Sequence, residues 1–152
     1  MLIDELKNIA RNNGIVGAGG AGFPAYAKMT EKADTVILNC VECEPLLKLH
    51  RQLLATHTEE IIQMLDEVRE SFGAKEAVIG IKSEYVTTIK AIEEVIGDFP
   101  NVRICALKAA YPMGDEVVLI YEATGRVIKP GGLPIDENVV VYNVETMYNL
   151  YR

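Results

Sequence analysis

Apolar residues recur along this chain with two different spacings, and the switches between them divide it into alternating helical and extended stretches. Leu2, Ile3, Leu6, Ile9 and Ala10 lie three and four residues apart, so residues 2 to 12 are predicted as an amphipathic helix stopped by Asn12-Asn13-Gly14. Thr35 to Asn39 (TVILN), Ala77 to Ile81 and Val102 to Leu107 are short apolar runs, the pattern of strands buried on both faces of a parallel sheet. Val139 to Tyr142 is a fourth such run. Between the first three lie helical patterns, roughly 51 to 72 (Leu53, Leu54, Ile61, Ile62, Leu65, Val68) and 84 to 97 (Val86, Ile89, Ile92, Ile96). Pro112 to Gly125 reads as a turn followed by a helix, Lys129 to Pro134 as an irregular loop, and Val144 to Arg152 as a further helical stretch. Strand and helix alternate, which predicts an α/β fold around a parallel sheet. A length of 152 residues suits a single domain spanning the whole chain.

Composition narrows the classes of function. Apolar residues make up 49% and charged ones 24%, a globular balance, and no apolar run approaches the roughly 20 residues needed to cross a bilayer. Direct membrane insertion is therefore not expected. Asp4 and Glu5 stand where a secretory leader would be basic, so a cytoplasmic location is expected. A net charge of −7 without a Lys/Arg stripe excludes a nucleic acid as main partner, because that binding neutralises phosphates with clustered cations. Cys40, Cys43 and Cys105 are an odd set in a chain without an export signal, and a disulfide framework is not expected. Cys40 and Cys43 form one C-x-x-C, too few ligands for a closed zinc or iron–sulfur site, and His50 and His57 show no ligand spacing, so no metal is assigned.

Three segments have the composition of ligand-binding loops. Gly17-Ala18-Gly19-Gly20-Ala21-Gly22 satisfies G-x-G-x-x-G, but it follows a helix instead of a strand and Phe23-Pro24 closes it, so a Rossmann first-turn fingerprint is not the right reading. Its glycines still allow successive N–H groups to face a phosphate or a ring to lie flat on the backbone; a flexible linker is the plainer alternative. Asn39-Cys40-Val41-Glu42-Cys43-Glu44-Pro45 lies at the C-terminal end of the first predicted strand, the edge where open parallel sheets bind ligands. Its carboxylates and amide could accept from ribose or ribityl hydroxyls, or could simply form a solvated acidic turn before a helix. Tyr111-Pro112-Met113-Gly114-Asp115-Glu116 repeats that placement after the third predicted strand, and Asn143-Val144-Glu145-Thr146 is a further polar turn after the fourth. Together they suggest one crevice lined from four places, or unrelated surface loops.

In this order, the four segments resemble the flavin-binding domain shared by the Rnf complex C subunit, the complex I 51 kDa subunit and the propanediol-utilisation cobalamin reductase. The G-x-G-G-A-G-F-P loop matches Gly17 to Pro24 with Lys28 after it, N-x-x-E-x-E-P matches Asn39 to Pro45, and Y-P-x-G-x-E matches Tyr111 to Glu116. G-G-L-P and N-V-E-T match Gly131 to Pro134 and Asn143 to Thr146. The resemblance spans nearly the whole chain and implies a three-layer, parallel-sheet, Rossmann-like domain. It implies FMN held non-covalently by Gly17, Gly19, Gly20, Gly22, Lys28, Asn39, Glu42, Tyr111, Gly114, Asp115, Glu116, Asn143 and Thr146. NADH would stack over the flavin, with Phe23 against the dinucleotide and Glu44 near its nicotinamide or ribose.

On the same basis the expected reaction is hydride transfer from NADH to FMN, with electrons passing to iron–sulfur clusters outside this chain and then to a corrinoid, quinone or ferredoxin-type acceptor. No protein nucleophile or acid–base dyad is required, so no catalytic side chain is assigned. Val41 and Leu46 stand where complex I relatives carry Asp and Gly, which places the sequence nearer the Rnf and cobalamin-reductase branch. The implied setting is a domain cut from a longer protein with an iron–sulfur domain or subunit as partner, cytoplasmic yet able to associate with a membrane complex or microcompartment. The alternatives are a cofactor-free scaffold that keeps the fold and, more remotely, a nucleotide-binding regulatory domain.

Overall fold

The computed structural model describes residues 3–12, 14, 29–40, 49–107, 116–129 and 133–151. The first helix, α1 (Ile3–Asn12), buries Leu6 and Ala10. The chain then forms β1 (Thr35–Cys40), α2 (Leu49–Thr56), α3 (Thr58–Phe72), β2 (Glu76–Lys82) and α4 (Val86–Ile96). It continues with β3 (Val102–Leu107), α5 (Glu116–Thr124), a 3-10 turn (Pro134–Glu137), β4 (Val139–Asn143) and α6 (Val144–Tyr151). The four apolar runs are the four strands, all parallel, in the order β3-β2-β1-β4.

The helical pattern predicted over 51 to 72 is interrupted. α2 ends at Thr56 and α3 starts at Thr58, where the Thr58 hydroxyl donates back to the Leu54 carbonyl at 2.7 Å. A hydroxyl bonding to its own preceding turn competes with the regular ladder, which accounts for a break at this point. α3 ends where its pattern says it should: Gly73 takes the left-handed conformation (φ 70°) and its N–H bonds the carbonyl of Glu70 at 3.0 Å. The irregular loop predicted up to Pro134 gives way there to the 3-10 turn.

Alternation along the strands divides the core in two. Val36, Leu38, Cys40, Ala77, Ile79, Ile81, Val140 and Tyr142 face one side, packed with residues of α1, α2, α3, α4 and α6. Ile37, Val78, Val139 and Val141 face the other, under Leu119, Ile120 and Ala123 of α5. Helices thus cover both faces and the architecture is the predicted three-layer α/β sandwich. β3 departs from its predicted burial on both faces: as an edge strand it leaves Arg103 and Ala106 exposed and Cys105 half-buried. Among the described residues no helix is long and apolar enough to cross a membrane.

Candidate functional site

The strand order fixes where a crevice opens. β1 hands the chain to β2 on one side of it, through α2 and α3 on the first face, whereas β4 lies on the other side and is reached from β3 through α5 on the second face. Connections therefore leave the β1/β4 junction in opposite directions, and outside the carboxyl ends of those strands is where open α/β sheets bind ligands.

Two of the predicted residues meet at that junction. Asn39 and Asn143 are register partners across β1 and β4, and by alternation both lie on the α5 face. The Asn143 carboxamide oxygen accepts hydrogen bonds from the Thr146 N–H and the Thr146 hydroxyl, each at 2.9 Å. Asn143 is therefore the N-cap of α6, and Thr146, 1% exposed, is locked beneath it. The carboxamide oxygen is thus engaged by the helix. The polar turn Asn143 to Thr146 thus has a structural duty whatever it binds.

The same cross-strand row continues over the sheet: Asn39 pairs with Gly80 of β2, and Gly80 with Cys105 of β3. A side chain at Gly80 would collide with Leu119 of α5, so the glycine lets α5 lie close against the sheet beside the two asparagines. The sequence reading gives Gly80 no role; its signal is a glycine inside an otherwise apolar strand, the mark of a close approach. Burial pushes the Cys105 thiol above its usual range and the neighbouring Arg103 only partly offsets this, which disfavours the thiolate a nucleophile needs. Cys40, fully buried, belongs to the core of the opposite face.

A second residue passed over by the sequence reading is Lys82, the last residue of β2. Its side chain is only 8% exposed, with Nζ 3.8 Å from Oε1 of Glu84 and 5.3 Å from the centre of the Tyr85 ring. His57, by contrast, stacks on Tyr148 of α6 with ring centres 4.5 Å apart, a packing role, and among the described residues no group of metal ligands forms.

Of the remaining predicted positions, Gly17, Gly19, Gly20, Gly22, Phe23, Lys28, Glu42, Glu44, Tyr111, Gly114 and Asp115 lie outside the described residues, as does Cys43. Glu116 is described only as the first residue of α5. The predicted residues that the structure brings together are thus Asn39, Asn143 and Thr146.

Residues 10–152 match the family model described as the Nuo51 FMN-binding domain. The chain belongs to that family. Within the Nuo51 FMN-binding domain family, cobalamin reductase PduS of Citrobacter freundii is 40% identical over 147 residues, covering 97% of this chain and 32% of the reductase. The C subunit of the Na(+)-translocating ferredoxin:NAD(+) oxidoreductase complex of Acetobacterium woodii is 37% identical over 147 residues, covering 94% of this chain and 33% of that protein. The chain spans about a third of the length of these relatives. Among solved structures, an NAD+-reducing [NiFe]-hydrogenase in the H2-reduced state shares the fold, with a TM-score of 0.79 at 24% identity over 98% of this chain and 30% of the hydrogenase chain. The expected resemblance and fold class are thus both borne out, and the relatives that carry this domain are named as a reductase and as a subunit of an oxidoreductase complex.

Proposed function

We propose that this domain holds FMN at the β1/β4 switch point, oxidises NADH there, and passes the electrons to an iron–sulfur domain or subunit. The observation that carries this reading is the Asn39–Asn143 pair: two carboxamides side by side on one face at the ligand-binding edge of a chain that belongs to an FMN-binding family. Their chemistry fits a flavin, since a carboxamide offers a donor and an acceptor to ribityl hydroxyls or a ring edge.

In this reading Asn39, Asn143 and Thr146 form the described wall of the site, while Gly17, Gly19, Gly20, Gly22, Lys28, Glu42, Tyr111, Gly114, Asp115 and Glu116 complete it. Phe23 and Glu44 meet the dinucleotide. The bound flavin supplies the redox chemistry, accepting a hydride from NADH and releasing electrons singly; the protein binds, orients and excludes water. Relatives named as a cobalamin reductase and as part of a ferredoxin:NAD(+) oxidoreductase complex support a nicotinamide donor and a corrinoid or ferredoxin-type acceptor. The acidic turns favour NADH over NADPH by repelling the extra phosphate. A cytoplasmic location, free or docked on a membrane complex or microcompartment, belongs to the same proposal.

The test is the absorbance spectrum of the purified protein titrated with FMN and then reduced anaerobically with NADH. A bound flavin band that bleaches with NADH, and that Asn39→Ala weakens, is the expected result. A folded protein that ignores FMN would instead make this domain a cofactor-free scaffold.

A further inference from the structure

Lys82 is a buried cation that has, among the described residues, one long ion pair and a distant aromatic ring for company. Its side chain is more than nine-tenths buried, yet among the described residues its ammonium has no acceptor within hydrogen-bonding distance. The one carboxylate near it, that of Glu84, sits at 3.8 Å and is itself 53% exposed, and the Tyr85 ring lies 5.3 Å away. A lysine with three donors is almost never buried unless it is paired. No described side-chain polar atom is both fully enclosed and without a partner, so this ammonium opens onto solvent at its tip.

Its place in the fold sets it near the two asparagines. Lys82 lies two residues beyond Gly80 on the same side of β2, and Gly80 is the register partner of Asn39. One strand across and two residues along puts its Cα about 8 Å from that of Asn39, and two strands across puts it about 12 Å from Asn143. It therefore stands on the same C-terminal edge as the two asparagines, within the span of a ribityl phosphate arm. In a chain of net charge −7, a cation kept buried at that edge, with one long and half-exposed ion pair among the described residues, suits an anionic partner from outside the protein.

We infer that Lys82 is a phosphate-binding residue of the nucleotide site, with its ammonium donating to the phosphate of FMN or to the diphosphate of NADH. This rests on the proposed function for its ligand, while the site itself is defined by the lysine.

The test compares wild type, Lys82→Met, which keeps the apolar stem and removes the charge, and Lys82→Arg, which keeps the charge. Affinities for FMN, riboflavin and NADH are measured by titration, and melting temperatures are recorded with and without pyrophosphate as a flavin-independent probe. A charge-assisted contact predicts that Lys82→Met weakens FMN about tenfold or more while riboflavin binding is unchanged, with Lys82→Arg retaining the preference. If the contact is to the dinucleotide, the FMN-to-riboflavin ratio stays and NADH affinity falls by a similar factor. In either case pyrophosphate raises the melting temperature of the wild type and fails to raise that of Lys82→Met.

Equal effects on FMN, riboflavin and NADH, or equal pyrophosphate protection of wild type and Lys82→Met, would overturn the inference and leave the flavin reading intact. Pyrophosphate protection lost in Lys82→Met in a protein that binds no flavin would do the reverse. A wild type that responds neither to flavin nor to pyrophosphate removes both.

Discussion

Asn143 carries two duties that substitutions can separate. Its oxygen caps α6 through the Thr146 N–H and hydroxyl at 2.9 Å, while its NH2 group is the part proposed to meet the flavin. Asn143→Ala removes both. Losing an N-cap costs about 1 kcal/mol, and taking one acceptor from the buried Thr146 hydroxyl costs about 1 kcal/mol more. For a domain of this size that is a melting temperature lower by roughly 4–8 °C. Asn143→Asp keeps an acceptor at the cap, and a carboxylate at a helix N-terminus is if anything favourable by about 0.3–1 kcal/mol. It also removes the NH2 donor and sets a negative charge beside the site. Thermal unfolding and FMN titration by absorbance on the three proteins should therefore diverge: Asn143→Asp melts within a few degrees of wild type but binds FMN at least about tenfold more weakly. Should Asn143→Asp bind FMN as tightly as wild type, this carboxamide is a helix cap and nothing more; should Asn143→Ala melt like wild type, the cap is not formed.

Gly80→Ala drives a methyl into Leu119 and should cost about 1–3 kcal/mol in urea unfolding, with Leu119→Ala in the same chain restoring part of the loss, a non-additivity that independent sites would not show. Asp34 governs an acid limb. Burial alone would raise its pKa, but hydrogen bonds from Arg126 (2.6 Å) and Thr35 and the charges of Arg126 and Lys75 outweigh that and hold it low. A depressed carboxylate contributes stability that is present above the unfolded value near 4 and lost as pH falls through the lower folded value. Asp34→Asn should flatten the melting temperature over that acid window and leave the neutral-pH response to FMN unaltered.

Fold was legible where a single period ruled a segment. TVILN and the runs at Ala77 and Val139 became strands buried enough to need no polar alternation, the run at Val102 became an edge strand, and parallel pairing follows from the helices between them. What the pattern could not show was competition within one segment. Thr58 looks like any helix residue in a hydrophobic plot, and only its hydroxyl bond to Leu54 reveals why α2 and α3 are two helices. β3 differs from its neighbours in the sequence by Arg103 alone, and an otherwise apolar run carries no record of strand order, so the exposure of Ala106 shows only once β3 is placed at the edge. The site divides in the same way. Asn39 and Asn143 were visible as polar residues ending apolar runs, although they are 104 positions apart in sequence and only the register makes them neighbours. Lys82 ends a run in the same manner, but a lone lysine after a strand is ordinary until its burial is known.

The two edges of the sheet use their polar groups differently, and the difference argues for where function lies. At the N-terminal edge two arginines are closely paired. Arg126 joins Asp34 at 2.6 Å and the Glu137 carbonyl at 2.9 Å, while Arg103 clasps both oxygens of Glu76 at 3.0 and 3.1 Å and reaches the Ala123 carbonyl at 2.5 Å. These contacts tie α5 and the segment before β4 to the strand starts. At the C-terminal edge the buried cation has a long ion pair, Asn143 serves a helix with one end of its amide, and a glycine brings α5 against the sheet beside Asn39. A buried ammonium with one long ion pair gains from a second, anionic partner, so the asymmetry follows if that partner arrives with a ligand. Filling the edge should then raise stability: saturating FMN is expected to increase the melting temperature of the wild type by an amount that grows with ligand concentration, and by less in Lys82→Met. A rise of equal size in both proteins would mean that the flavin binds without calling on this edge's cation, and the asymmetry would need another cause.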